Sequence, residues 1–88
     1  RGFVNFVLMT EEGKIQLKKI KQLEEEGYYV IKLMKTNKNG IPDLVAIPPN
    51  CGVMFCEVKT PKGRLSSLQK YRMDELEKHG IKTEVYKG

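Results

Sequence analysis

Cys51, Cys56 and His79 are the only thiols and imidazole in this 88-residue sequence. They are too few for a closed Cys/His zinc site. The two cysteines flank a turn and read as free thiols of a reducing compartment rather than as a bridge, so the protein is expected inside the cell. No apolar run approaches the ~20 residues that a membrane-spanning helix needs. No repeat, linker or low-complexity stretch breaks the chain. Residues 1–8 (RGFVNFVL) lack a signal-peptide pattern, and Met9 followed by Thr10, Glu11 and Glu12 reads as a natural start. Residues 1–8 are therefore taken as a leader or an extra strand, and residues 9–88 as a single domain.

What is present is a small basic domain. Its length fits one folding unit with a modest core and little spare stability, which dimerisation would augment. Sixteen Lys and Arg against 11 Asp and Glu give a net charge of +5 and a pI near 9.3. Such a balance favours an anionic partner, nucleic acid first among them.

The pattern of residues predicts the order α-β-β-β-α-β. Thr10 caps a helix that runs to Glu26 and ends at Gly27, with Glu11 and Glu12 in its first turn. Glu12, Gln16, Ile20 and Leu23 share one stripe of it, with Ile15 and Leu17 beside them. Strands are predicted over Tyr28–Met34, Asp43–Ile47 and Val53–Lys59, separated by TNKNG and PPNCG turns. A second helix spans Ser66–His79, with Ser66 and Gln69 as a capping box and Gly80 as its stop. A last strand covers Ile81–Tyr86. The second and third strands are apolar on both faces, which calls for helices on both sides of a mixed sheet.

Chemistry concentrates around the turn of residues 48–52. If the flanking strands pair antiparallel through a symmetric turn, Val45 faces Phe55 and Asp43 faces Glu57, with Cβ atoms ~5 Å apart. Lys59, two positions on, projects from the same face as Glu57. Two half-buried carboxylates opposite each other destabilise the fold unless cations compensate. Lys59 provides one charge. A hard divalent ion, Mg²⁺ or Mn²⁺, would provide the rest. The plainer alternative is a Lys59–carboxylate ion pair on a solvated sheet edge. It is weakened by Gly40-Ile41-Pro42, which leads Asp43 directly into a buried strand.

Pro42-Asp43 and Glu57-Val58-Lys59 match the PD-(D/E)xK nuclease signature. Three segments together resemble its VRR-NUC branch: Gly40 to Leu44 (GIPDL), Phe55 to Thr60 (FCEVKT) and Gly63 to Gln69 (GRLSSLQ). The resemblance extends over roughly residues 11–86. The Val-Arg-Arg ending that names the branch is represented only by Val85-Tyr86-Lys87, so Lys87 would have to serve with different geometry.

That resemblance implies a restriction-endonuclease-like core and a metal-dependent DNA endonuclease. Asp43 and Glu57 would hold the metal, the Val58 carbonyl would add a ligand, and Lys59 would orient or deprotonate water and stabilise developing charge. Gln69 has two readings, as a member of the capping box or as an active-site residue; its stripe with Met73 and Leu76 favours the second. Glu12 is either a further metal ligand, as the family implies, or a first-turn glutamate facing the helix dipole, with Glu11 as the fallback. Stand-alone members resemble resolvases of Holliday junctions, which implies branched DNA, a homodimer whose symmetry matches the junction, and the cytoplasm of a bacterial or phage-infected cell.

Lys35, Lys38, Lys62, Arg64, Lys70 and Arg72, with Lys32 near them, surround the site loops and form a candidate cradle for the phosphate backbone. The alternative functions are a non-catalytic nucleic-acid-binding module, a subunit of a larger DNA-processing complex, or a structural protein with coincidental ion pairs. Tyr71 and Tyr86 are assigned to packing, and His79 to the end of the second helix.

Overall fold

Both helices begin and end where their capping residues dictate. In the computed structural model, which describes residues 10–49 and 52–88, α1 spans Glu11–Glu25 and α2 spans Ser67–Lys78. Thr10 accepts from the amide of Gly13, and Ser66 accepts from that of Gln69. At the other ends Gly27 and Gly80 take positive φ values of 94° and 83°. The amides of Tyr28 and Ile81 then turn back onto the carbonyls of Leu23 and Leu76. This closure satisfies orphan carbonyls and fixes where each following strand departs. Residues 1–9, which include the 1–8 segment expected as a leader or an extra strand, and residues 50 and 51, Cys51 among them, lie outside the described residues.

Four strands follow the expected order: β1 (Tyr29–Lys32), β2 (Leu44–Ile47), β3 (Met54–Lys59) and β4 (Lys82–Lys87). They lie side by side as β1-β2-β3-β4, antiparallel except for the parallel β3–β4 pair that α2 bridges. The anticipated register is present, with Leu44 opposite Cys56 and Val45 opposite Phe55.

Strand β1 is shorter than the Tyr28–Met34 expected from its composition. Tyr28 is held by the end of α1, and the ladder ends after Leu33, whose amide donates to the carbonyl of Asp43 at 2.8 Å. Asp43 itself stands just ahead of β2 rather than within it.

The two faces of the sheet have different lids. Leu44, Cys56 and Val58 are fully buried on one face, with Ile15 and Ile20 of α1 and Tyr86 packed against them. Lys19 of α1 is also buried there. Its ammonium lies 3.9 Å from Glu84 and 4.5 Å from the centre of the Tyr86 ring. The alternation of side chains puts Val45, Phe55, Glu57 and Lys59 on the other face, where α2 packs along β4. Gln69 donates to Glu57, and Thr83 donates to Glu77. Burial pushes the Cys56 thiol up to about 12, with the Glu84 carboxylate adding to the effect. It is a core group and not a nucleophile.

A core of this size tolerates few deletions. Leu44→Ala removes a side chain with no exposure and should cost about 3 kcal/mol. Met34→Ala, at a side chain 81% exposed, should change stability by less than about 0.5 kcal/mol. Urea denaturation of both variants against wild type checks the contrast.

Candidate active site

Pairing of β2 with β3 brings the acidic groups to one end of the sheet. Continuing the register one step beyond Leu44–Cys56 sets Asp43 opposite Glu57, at the exit of β3 and the entrance of β2. Pro42, fully buried, anchors the backbone immediately before Asp43. One carboxylate oxygen of Asp43 accepts the amide of Val58 at 2.9 Å, so this acid is fixed by the neighbouring strand. Glu12 arrives from the first turn of α1. Carboxylate oxygens of Glu12, Asp43 and Glu57 lie within 4.8 Å of one another.

Glu57 is the most constrained of the three, with 1% exposure. One of its oxygens receives the Gln69 amide at 3.1 Å and stands 3.7 Å from the Lys59 ammonium. The other is buried with no partner among the described residues. Burial pushes the Glu57 carboxyl up to about 8, and the charge of Asp43 adds to the shift. One ammonium at Lys59 does not offset these two effects. A buried oxygen without a donor, beside two further carboxylates, is what a hard cation satisfies. The donor set of oxygens without thiol or imidazole fits Mg²⁺ or Mn²⁺ rather than a softer metal.

Gln69 completes the capping box and also reaches the acidic cluster. Its side-chain oxygen accepts the Ser66 amide, completing the capping box, while its amide nitrogen reaches Glu57. The helix cap thereby aims a donor at the acidic site.

The expected cationic residues divide. Lys35 and Lys38 line a cavity of about 350 Å³ that runs from Leu33 through Gly40 to Asp43. A second cavity, about 340 Å³, contains Glu12, Gln16 and Lys32 and shares Leu33 and Met34 with the first. Lys62, Arg64 and Lys70 are exposed at the loop from β3 to α2 and on its first turn. Arg72 is half-buried and bound to the protein's own groups, donating to the carbonyl of Asn39 at 2.9 Å and pairing with Glu75 at 2.8 Å. Lys87 stands abreast of Lys59 across the parallel pair, so the basic residue of the divergent C-terminal motif shares the face of Glu57.

Two features escaped the sequence pattern. Gln16 is buried with its side-chain oxygen unpartnered among the described residues, one turn after Glu12 on the same helix face; its place on an inward stripe gives no sign of this. Lys19 carried no signal for burial, because its partners Glu84 and Tyr86 lie on the last strand.

A mixed sheet clasped by one helix on each face, with an acid just ahead of β2, an acid and a lysine from β3 and a glutamine from α2, defines the class of PD-(D/E)xK nuclease domains. The VRR-NUC domain model matches residues 5–88. The chain belongs to the VRR-NUC family. One solved structure, described as a VRR_NUC domain, superposes with a TM-score of 0.81 at 28% identity, covering 91% of this chain and 87% of the other. Another, a VRR_NUC domain protein, shares the fold with a TM-score of 0.74 at 19% identity, covering 91% and 80%. No curated protein matches the chain. Among the described residues no helix is long and apolar enough to cross a membrane.

The crowding of acids sets a pH dependence. Without a divalent ion, the unfolded chain releases the Glu57 proton near 4.5 and the folded chain near 8. The folded state binds more protons across that window, so stability falls as pH rises through it. The thermal midpoint in EDTA should therefore drop between pH 5 and pH 8, and Glu57→Gln should flatten the change. A midpoint that rises over the same range in wild type but not in the variant would contradict this electrostatic account.

Proposed function

We propose that this VRR-NUC domain is a DNA endonuclease that hydrolyses phosphodiester bonds with Mg²⁺ or Mn²⁺ held by Asp43, Glu57 and Glu12. The observation that carries the reading is the buried, unpartnered oxygen of Glu57 set among the other two carboxylates. These acids cannot attract a phosphate by themselves; their convergence is useful to a nuclease only if a cation stands between them and the substrate. The carbonyl of Val58 is a further donor in the proposed set. A divalent ion in this position would neutralise phosphoryl oxygens and lower the pKa of coordinated water.

Each remaining group has a task suited to its position. Lys59, mostly shielded and tethered to Glu57, is the ammonium that orients the attacking water and stabilises charge developing on the phosphate. Gln69 holds Glu57 in its rotamer through the amide bond and keeps that acid from swinging toward Lys59 alone. Lys35 and Lys38 on one flank, and Lys62, Arg64 and Lys70 on the other, form the cradle for the sugar–phosphate backbone. These contacts position without reading bases.

Branched DNA and a homodimer complete the proposal. A domain of 88 residues has little surface with which to grip a four-way junction, and a two-fold pair matches the junction's symmetry. The exposed large apolar side chains available for such pairing are on β1 (Tyr29 and Ile31) and α2 (Leu68 and Tyr71). Strand β4 contributes none.

Incubation of the protein with supercoiled plasmid and with a four-way junction, each in Mg²⁺, Mn²⁺ or EDTA, tests the activity and the substrate class together. Cleavage that requires the divalent ion and prefers the junction is expected. No cleavage of either substrate, with equal DNA binding by Lys59→Ala and wild type, establishes the non-catalytic binding module instead. Asp43→Asn should abolish cleavage yet keep or tighten DNA binding, because one negative charge leaves the phosphate site. Replacing Lys62 and Arg64 together by Ala should weaken binding at low salt and reduce the slope of log affinity against log salt by roughly 2, measured by fluorescence anisotropy.

A further inference from the structure

The helix that delivers Gln69 to Glu57 also grips the loop that delivers Asp43. Leu68 and Arg72, on the same side of α2 and one turn apart, both touch that loop. The Arg72 Nε–H donates to the carbonyl of Asn39 at 2.9 Å. Leu68 lies directly on Gly40: a Cβ placed on that glycine would come within 2.8 Å of the Leu68 Cγ and 3.3 Å of its carbonyl carbon. Gly40 also has a φ of 83°, so both the backbone turn and the close approach of the helix demand a residue without a side chain. From Gly40 the chain has only Ile41 and buried Pro42 before Asp43. Proline fixes its own φ and restricts the residue before it, so displacement of Asn39–Gly40 is transmitted to Asp43 with little slack.

Arg72 is poorly placed to act as a free phosphate ligand. Its guanidinium is divided between the Asn39 carbonyl and the Glu75 carboxylate, with the latter at 2.8 Å, and the Tyr71 ring lies 5.5 Å away. The hydrogen bond from Arg72 holds the Glu75 carboxyl below its ordinary range, so the positive charge is already locally balanced. Lys35 and Lys38 on the same loop have no such carboxylate partner among the described residues.

We propose that Arg72 is a positioning residue for Asp43: it latches the 36–42 loop to α2, so that one helix sets the separation of the two acids, Glu57 through Gln69 and Asp43 through the loop. The assignment rests on the reading of Asp43 and Glu57 as the cation site. It removes Arg72 from the phosphate cradle and gives α2 a second task beyond supplying Gln69. An Arg72→Lys exchange does not conserve the latch, because a lysine cannot span the carbonyl and the carboxylate with a planar fork of donors.

The Val58 amide provides a reporter independent of catalysis, since it donates to Asp43. Its ¹H–¹⁵N resonance is followed in wild type, Asp43→Asn, Arg72→Gln and Arg72→Lys, together with Mn²⁺ affinity by calorimetry and DNA affinity in EDTA across a salt series. Both Arg72 variants are expected to move the Val58 amide toward its Asp43→Asn position and to weaken Mn²⁺ binding by roughly ten-fold, the scale on which groups that orient metal ligands act. DNA affinity and its salt slope should stay within two-fold of wild type. The proposal is overturned if Arg72→Gln leaves the Val58 resonance and Mn²⁺ affinity unchanged while lowering the salt slope by about 1, with Arg72→Lys restoring it. That pattern belongs to a phosphate contact. If the Arg72 variants do not fold, Glu75→Gln decides. The latch predicts an unchanged Val58 resonance and an unchanged salt slope, whereas a slope steeper by about 1 would show that Glu75 was masking a phosphate ligand and would refute the latch. Failure of the nuclease reading would show as wild-type protein that cuts no DNA, and the Val58 resonance still reports on the latch in that case.

Discussion

Asp43 and Glu57 repel each other, and the pairing of β2 with β3 holds them together regardless. The ladder fixes their backbones, burial removes the water that would screen them, and the Val58 amide and the Gln69 side chain hold the carboxylates in place. The crowding pushes the Glu57 carboxyl up to about 8, because burial first and then the charge of Asp43 oppose its ionisation. Such a site costs stability in a domain whose core centres on Leu44, Cys56 and Val58. It persists because strand register leaves the acids no means of separating, and a bound cation would turn the repulsion into coordination.

The two helices solve different parts of this problem. α1 covers the apolar face and supplies Glu12 from its first turn, so the same element closes the core and completes the acidic triad. α2 lies on the opposite face and bridges the parallel β3–β4 pair. Its capping box has a structural purpose, yet the glutamine in that box has an amide left over, and the amide reaches Glu57. Local helix chemistry and site chemistry are thus coupled through one side chain. The same helix bears on the Asn39–Gly40 backbone, which makes it the common reference for both strands of the site.

Membership of the VRR-NUC family and the structural likeness to a VRR_NUC domain agree with a bottom-up reading of the charges. A basic domain that concentrates three acids in one place needs a reason to put negative charge where its substrate is negative. A hard cation held there, as proposed above, would supply that reason. The divergent C-terminal motif departs from the family pattern in its residues, but the parallel register still sets Lys87 beside Lys59, so positive charge is present on the face of Glu57 despite the altered motif.

The sequence by itself determined the local features, because each depends on residues close along the chain. Thr10, Ser66, Gly27 and Gly80 bound the helices, and the alternation of side chains places Glu57 and Lys59 on one face. Antiparallel pairing of the segments on either side of residues 48–52 places Val45 opposite Phe55, the register found, which extends to Asp43 and Glu57. Tertiary structure decided whatever depends on distant partners. Burial of Lys19 follows from Glu84 and Tyr86 on β4, and the engagement of Arg72 follows from a carbonyl 33 residues away. Strand β1 is shortened by the geometry at its two ends. Whether Glu12 or Glu11 would reach the acids could not be read from helical spacing, because it depends on how α1 seats on the sheet; packing of Ile15, Ile20 and Leu23 against the core chose Glu12.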